Sequence, residues 1–92
     1  MANFDIGETL ICSIEIKDDA GAYKDPATSM KITVTDKTNT KKVNDVAMTK
    51  DSTGIYHYDC QTTGYIDGEY EVKYVATDGT RITIEKQSFI LK

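Results

Sequence analysis

The chain is poor in the residues that cross-link a fold, bind metals or interrupt strands. It has no Trp, one Pro, two Cys and one His among 92 residues. One Pro and six Gly exclude a collagen-like or linker-like chain. One His and two Cys are too few for a zinc site unless carboxylates complete it, and no Ser-His-Asp set or phosphate-binding loop is present. We therefore expect a protein that is not an enzyme and that needs no cofactor or metal.

A basic cluster and a long apolar run are also missing. The net charge is −4, and the densest basic stretch, Lys41-Lys42, lies in a polar segment, so we expect no nucleic-acid partner. No apolar run approaches the roughly 20 residues of a membrane helix. Residues 1–11 do not resemble a signal peptide. We expect synthesis in the cytoplasm, and the start Met1-Ala-Asn-Phe favours a complete small protein over a domain cut from a longer surface protein.

What the chain does contain is alternation of apolar and polar residues with a period of two, which is typical of half-buried strands. The pattern predicts strands over Thr9–Lys17, Met30–Asp36 and, more weakly, Val43–Met48 with an irregularity at Asn44-Asp45. A sheet edge near the weak strand is expected to be blunted by Lys37, Lys41 and Lys42. Turn residues separate the segments, including a predicted turn at Asp51–Gly54.

Two tyrosine-rich segments dominate the second half. Inner faces are predicted for Tyr56, Tyr58 and Cys60 in one segment, and for Tyr70, Val72, Tyr74 and Ala76 in the next. Asp78-Gly79 predicts a hairpin into a last strand over Arg81–Leu91. Its apolar residues change phase, with Ile82 and Ile84 predicted inward first and Phe89 and Leu91 later, so we expect a β-bulge near Lys86–Ser88.

No segment has a useful 3.6-residue period, so the chain is predicted to be all-β. About seven strands at roughly ten-residue spacing indicate one immunoglobulin-like antiparallel β-sandwich domain over residues 1–92. A small OB-like barrel is the alternative architecture.

The order of the strand and turn motifs resembles a known class of domains. The stretches are FDIGET (4–9), PATSMKITVTD (26–36), KDSTGIYHYD (50–59), GEYEVKYVATDG (68–79) and QSFIL (87–91). Together they resemble the macroglobulin-type immunoglobulin-like modules of prokaryotic surface proteins. They are most similar to the small stand-alone versions encoded among bacteriophage head and head–tail genes. The Trp that packs on a disulfide in antibody domains is missing.

The resemblance implies a structural or accessory component of the phage virion, made in the host cytoplasm. It would bind capsid or head–tail proteins through loops or an exposed strand edge, and self-association stays open. The alternative is an extracellular adhesion or carbohydrate-binding module of a larger secreted protein. A chaperone-like or inhibitor domain is a more distant third.

In an immunoglobulin-like strand order, the strands that begin at Thr9 and Ile55 are antiparallel neighbours. If Ile55 lies opposite Lys17, then Cys12 lies opposite Cys60 on the inner face. Such a cross-strand pair is either a disulfide, which suits an extracellular module, or two buried free thiols, which suit a protein assembled in the cytosol.

The remaining candidate residues are weaker. Tyr23 and Tyr65 fall in predicted loops, where they either contact a protein or sugar partner or cover the end of the sandwich. His57 is expected to face solvent, pointing away from Cys60. The turn aspartates lack the ligand spacing of a calcium loop, so we interpret them as turn residues: Asp18, Asp19, Asp51, Asp67 and Asp78.

Overall fold

The computed structural model describes residues 2–92 and contains eight strands. They are β1 (Ala2–Phe4), β2 (Thr9–Glu15), β3 (Ser29–Thr35), β4 (Lys41–Ala47), β5 (Thr49–Ser52), β6 (Ile55–Gln61), β7 (Gly68–Asp78) and β8 (Arg81–Leu91). All eight elements are strands and no residue in this range is helical, so the prediction of an all-β chain is confirmed. The same range contains no helix of the length and apolar character that a membrane crossing needs.

The strands form two sheets. One has five strands in the order β1-β8-β7-β3-β4, and the other has three in the order β2-β6-β5. Neighbouring strands are antiparallel except β1 and β8, which are parallel. The sheets pack face to face and share no paired strands, which agrees with a sandwich rather than with a barrel.

The alternating side chains explain the core. On β7, Tyr70, Val72, Tyr74 and Ala76 are all buried, as predicted, whereas the residues between them are exposed or half-buried. At the inner positions of β2 and β3, Leu10, Cys12, Met30, Ile32 and Val34 are buried, and of the residues between them only Thr33 is buried as well. Residues at every second position point to one side of a sheet, so these faces meet between the two layers.

The last strand corrects the sequence interpretation. The β7–β8 register is continuous from Asp78↔Arg81 to Gly68↔Leu91, so no bulge interrupts β8. Ile82 and Ile84 lie on the outer face of the sheet, 63% and 54% exposed. The odd-numbered side chains, which include Phe89 and Leu91, point to the inner face along the whole of β8. Polar residues occupy these positions over most of β8, because the three-stranded sheet does not extend over it.

The middle of the chain holds one strand more than predicted. The irregularity expected at Asn44-Asp45 is confirmed, because the β3–β4 register shifts there and Asp45 has a φ of 54°. The Asp45 N–H donates a hydrogen bond to Thr33 Oγ1 at a distance of 3.0 Å. The predicted turn at Asp51–Gly54 is partly strand, because Thr49–Ser52 pairs with β6 as β5.

Candidate binding surface

The two candidate contact tyrosines lie at opposite ends of the sandwich. Tyr23 forms an isolated bridge with Lys17, just beyond the C-terminal end of β2. Tyr65 follows Gln61, which pairs with Thr9 at the N-terminal end of β2. They therefore cannot form one aromatic platform.

Tyr65 is part of the covered end of the sandwich. Its ring stacks on Tyr70 with centroids 5.6 Å apart, and its hydroxyl lies 3.7 Å from Cys60 Sγ. Burial raises the pKa of the Tyr65 phenol, and the Cys60 thiol acts in the same direction. Lys42 Nζ lies over the ring, 5.5 Å from its centroid. These contacts correspond to a residue that covers the core, which was the alternative interpretation of this tyrosine.

Tyr23 is the more accessible of the two, with 45% of its surface exposed. The Lys17 ammonium lies 5.1 Å from its ring centroid, at cation–π distance. One exposed ring that a lysine already contacts makes a small contact area for a ligand.

Cys12 and Cys60 share the inner face of the β2–β6 ladder, but the predicted register is wrong. The observed pairs are Cys12↔Tyr58 and Leu10↔Cys60, a shift of two residues from the predicted register. The shift arises because Glu15, not Lys17, lies opposite Ile55. The thiols are thus diagonal neighbours, and both are free and buried.

The environment of the two cysteines suppresses thiol chemistry. Burial raises the pKa of Cys12 to about 11, with a smaller contribution from the neighbouring Cys60. Burial also raises the pKa of Cys60, and this outweighs the opposing hydrogen bond with Tyr65. Because the thiolate is the reactive form, both side chains act here as small apolar groups.

His57 lies on the outer face of β6, away from the cysteines. Its Nδ1 is 2.6 Å from Asp51 Oδ1, and its Nε2 is 3.9 Å from Asp59 Oδ1. Within residues 2–92, no group of three or more His, Cys, Asp or Glu side chains is placed to hold a metal ion.

Several aspartates hold loops in place. Asp18 Oδ1 accepts hydrogen bonds from the N–H groups of Ala20 and Ala22, over 2.9 and 3.0 Å. Asp25 accepts from Lys50, from the Gly54 N–H and from the Tyr56 hydroxyl. The Lys50 ammonium, followed by the Gly54 N–H, holds the pKa of the Asp25 carboxyl below its ordinary value.

An adjoining end cleft of about 390 Å³ has charges of both signs, including the Lys24–Asp78 ion pair at 3.2 Å.

The feature that sequence reasoning missed is the open side of the sandwich, where β2 ends the smaller sheet. The inner face of β8 from Arg81 to Ser88 is exposed. A groove of about 190 Å³ separates the edge of β2 from β8 and β1, lined by Phe4, Leu10, Ile11, Cys12, Val72, Gln87, Ser88 and Phe89. The signal in the sequence was the polar character of the odd-numbered positions in the first two thirds of β8.

The two sheets have four edge strands, and three of them resist pairing with another chain. β1 has three residues, and β5 has four with the polar sequence TKDS. β4 carries Lys41, Lys42 and the bulge at Asp45. By contrast, β2 is a seven-residue strand with no lysine, proline or register shift, and its Ile11 is 70% exposed. Short strands, lysines and bulges are the usual protection of sheet edges, and β2 lacks all three.

The hydrogen bonds at both ends of β2 show which backbone groups are free. Thr62 N–H donates to the Glu8 carbonyl at one end, and Ile16 N–H donates to the Gly54 carbonyl at the other. The backbone N–H and C=O groups of the even-numbered residues therefore point to β6. In an antiparallel ladder the backbone groups of the intervening residues point to the opposite side. The backbone groups of Thr9, Ile11, Ser13 and Glu15 are thus directed at the free edge.

Comparisons of the chain with protein-family models, with curated proteins and with solved structures find no match.

Proposed function

We propose that the chain is a non-enzymatic binding protein that attaches to a protein partner through the open side of its sandwich. The observation that carries the proposal is the unprotected edge of β2 beside the uncovered inner face of β8. An exposed strand edge binds an extended chain through backbone hydrogen bonds, and the neighbouring groove supplies side-chain contacts. Binding of this kind requires no chemical step and no cofactor.

We further propose that the sandwich is immunoglobulin-like. The strand order supports this, because β3, β7 and β8 are neighbours in the five-stranded sheet, whereas β2, β5 and β6 form the other sheet. Immunoglobulin domains divide strands C, F and G from strands B, D and E in the same way. The Tyr70 hydroxyl donates to the Ile66 carbonyl over 2.6 Å. This contact resembles the tyrosine corner of immunoglobulin-like domains, in which a tyrosine near the start of a strand binds backbone a few residues upstream.

The partner that we propose is a capsid or head–tail protein of a bacteriophage. This part of the proposal depends on the resemblance of residues 4–91 to the small immunoglobulin-like proteins of phage head genes. The acidic balance of the chain, with a net charge of −4, agrees with a protein partner better than with a nucleic acid.

The test is sedimentation of the native protein with particles in a density gradient of an induced lysate. We expect it to band with the particles and to remain there after a high-salt wash, because backbone pairing and apolar contacts are less sensitive to salt than surface ion pairs. A protein found only in the soluble fractions would overturn the virion role.

The alternative is an adhesion or carbohydrate-binding module, and the exposed Tyr23 ring is the observation in its favour. Its separation from Tyr65 weakens this alternative, because sugar-binding platforms need several gathered aromatic and polar groups. Binding to immobilised glycans that is lost in Tyr23→Ala would favour the module over the virion component.

A further inference from the structure

We infer that the open side accepts one extended segment of a partner protein, which becomes a fourth strand of the three-stranded sheet. This inference rests on the proposed binding function and specifies its ligand. The segment would pair with the free edge of β2, hydrogen-bond the backbone of Thr9, Ile11, Ser13 and Glu15, and lie above the exposed inner face of β8. We assign it an antiparallel direction, which is the direction of every other pair in that sheet.

A second copy of the chain does not fit this site. A copy that presents its own β2 edge would form a continuous sheet of two three-stranded halves. Its five-stranded sheet would then overlap the layer in which the exposed inner face of β8 already extends past β2. Single extended segments bring no second layer, so the occupant is an arm or a loop of a different protein.

The floor of the site changes in polarity along its length. Leu10 and Cys12 line it together with the apolar Phe4, Val72 and Phe89 and the polar Gln87. Gln87 lies towards Cys12, because Tyr74 contacts the Cys12 thiol and its hydroxyl donates to Gln87. At the far end, Ile16 and Arg81 line the same cleft, so β2 crosses β8 in the antiparallel sense. Glu85 and Thr83 therefore lie beside the second half of β2.

These surroundings define the segment. Its inward side chains should be apolar above Phe89, apolar or neutral above Gln87, and cationic above Glu85. No ion pair of Glu85 occurs among residues 2–92, so its carboxylate is available to a cation of the partner. The first inward residue of an antiparallel segment meets Glu85, and the last meets Phe89.

A synthetic peptide that matches the seven residues of β2 in length provides a defined probe. The peptide is acetyl-Thr-Lys-Thr-Val-Thr-Val-Thr-amide, whose Lys and Val residues face inward. In a titration followed by amide NMR, we expect the N–H signals of Ile11 and Ser13 to shift and their hydrogen exchange to slow. The N–H groups of Cys12 and Ile14, already bonded to β6, should change little.

Two variants of the protein locate the site. Ser13→Pro removes an edge-facing N–H that has no partner within the sheet, so the fold should tolerate it while the ring blocks pairing. We expect at least a tenfold weaker peptide affinity, and the matched control Ser13→Ala should bind like the wild type. Glu85→Lys should lose affinity for the lysine peptide and gain affinity for a peptide with Glu in place of Lys, which tests the site even if Ser13→Pro does not fold.

Peptide-induced shifts that map away from β2 and β8, or equal binding by Glu85→Lys, would overturn the inference. Dimerisation in sedimentation equilibrium that is lost in Ser13→Pro would overturn it as well, because a second copy would then occupy the site. Particle binding separates this inference from the proposed function. If Ser13→Pro still bands with particles, the virion role stands and the segment is refuted. If the wild type binds the peptide but no particles, the virion role is refuted and the segment stands.

Discussion

Cys12 and Cys60 are diagonal neighbours on one face of the β2–β6 ladder, where Cys12 lies opposite Tyr58 and Cys60 opposite Leu10. Diagonal positions are separated by about 7–8 Å. Disulfides usually need Cα separations of about 4.4–6.8 Å. The two thiols are therefore close in the sheet and poorly placed to cross-link without movement of the backbone.

The first prediction concerns thiol reactivity. With the Cys12 pKa near 11, its thiolate fraction at mildly alkaline pH is about 100-fold below that of an ordinary cysteine. We expect Ellman's reagent to modify the native protein slowly and to titrate both thiols at once in denaturant. A purified protein that is lighter by two hydrogens and reacts in neither state would contradict this prediction by revealing a disulfide.

The second prediction is an alkaline loss of stability. Burial raises the folded pKa of Cys12 above its ordinary value of 9.0. The neutral thiol is therefore favoured in the native state, and its contribution to the free energy of unfolding is complete below about pH 9. It is lost as the pH rises towards 11, because the unfolded thiol ionises first. Urea midpoints should fall over this interval, and less steeply in Cys12→Ala.

Burial raises the phenol pKa values of Tyr65 and Tyr74 as well, so part of the alkaline slope should persist in Cys12→Ala. A wild type and a variant with identical slopes would show that Cys12 titrates normally in the native protein.

The third prediction concerns Gly54, which joins β5 to β6. Its φ is 74°, and a Cβ there would lie 2.5 Å from the Ile16 carbonyl oxygen and 2.9 Å from the Lys24 nitrogen. Gly54→Ala should lower the free energy of unfolding by more than about 2 kcal/mol, since backbone atoms must move in addition to the cost of the positive φ. The measurement is urea denaturation.

Gly21→Ala is the matched control for Gly54→Ala. Gly21 has a φ of 84° with nothing within 4 Å of the added Cβ. Gly21→Ala should therefore lower the free energy of unfolding by only about 1 kcal/mol. Equal costs at both positions would show that the packing around Gly54 relaxes freely.

The fourth prediction compares the two loop tyrosines. Tyr65→Ala should reduce the free energy of unfolding by about 2–4 kcal/mol, because its ring stacks on the fully buried Tyr70. Tyr23→Ala should cost less than about 1 kcal/mol, the range of an exposed cation–π contact. A larger loss of unfolding free energy in Tyr23→Ala than in Tyr65→Ala would contradict this prediction, because it would make Tyr23 the structural residue.

Much of the fold was predictable because strand alternation is a local property. Every second residue of a strand points to the same side, so the inner faces of β2, β3 and β7 could be identified from the sequence. The bulge near Asp45 and the hairpin at Asp78-Gly79 likewise follow from local turn chemistry. The same rule failed for β8, where Ile82 and Ile84 suggested a change of phase that the strand does not make.

What only the tertiary structure decided is which strands meet and how far each sheet extends. A register difference of two residues leaves every side chain on the same face, so the sequence pattern could not distinguish Cys12↔Cys60 from Cys12↔Tyr58. The extent of the sheets is also non-local, because it depends on which strands pair across the whole chain. The sequence by itself determined an all-β chain with its core faces, whereas packing decided that β2 is left as an open edge above β8.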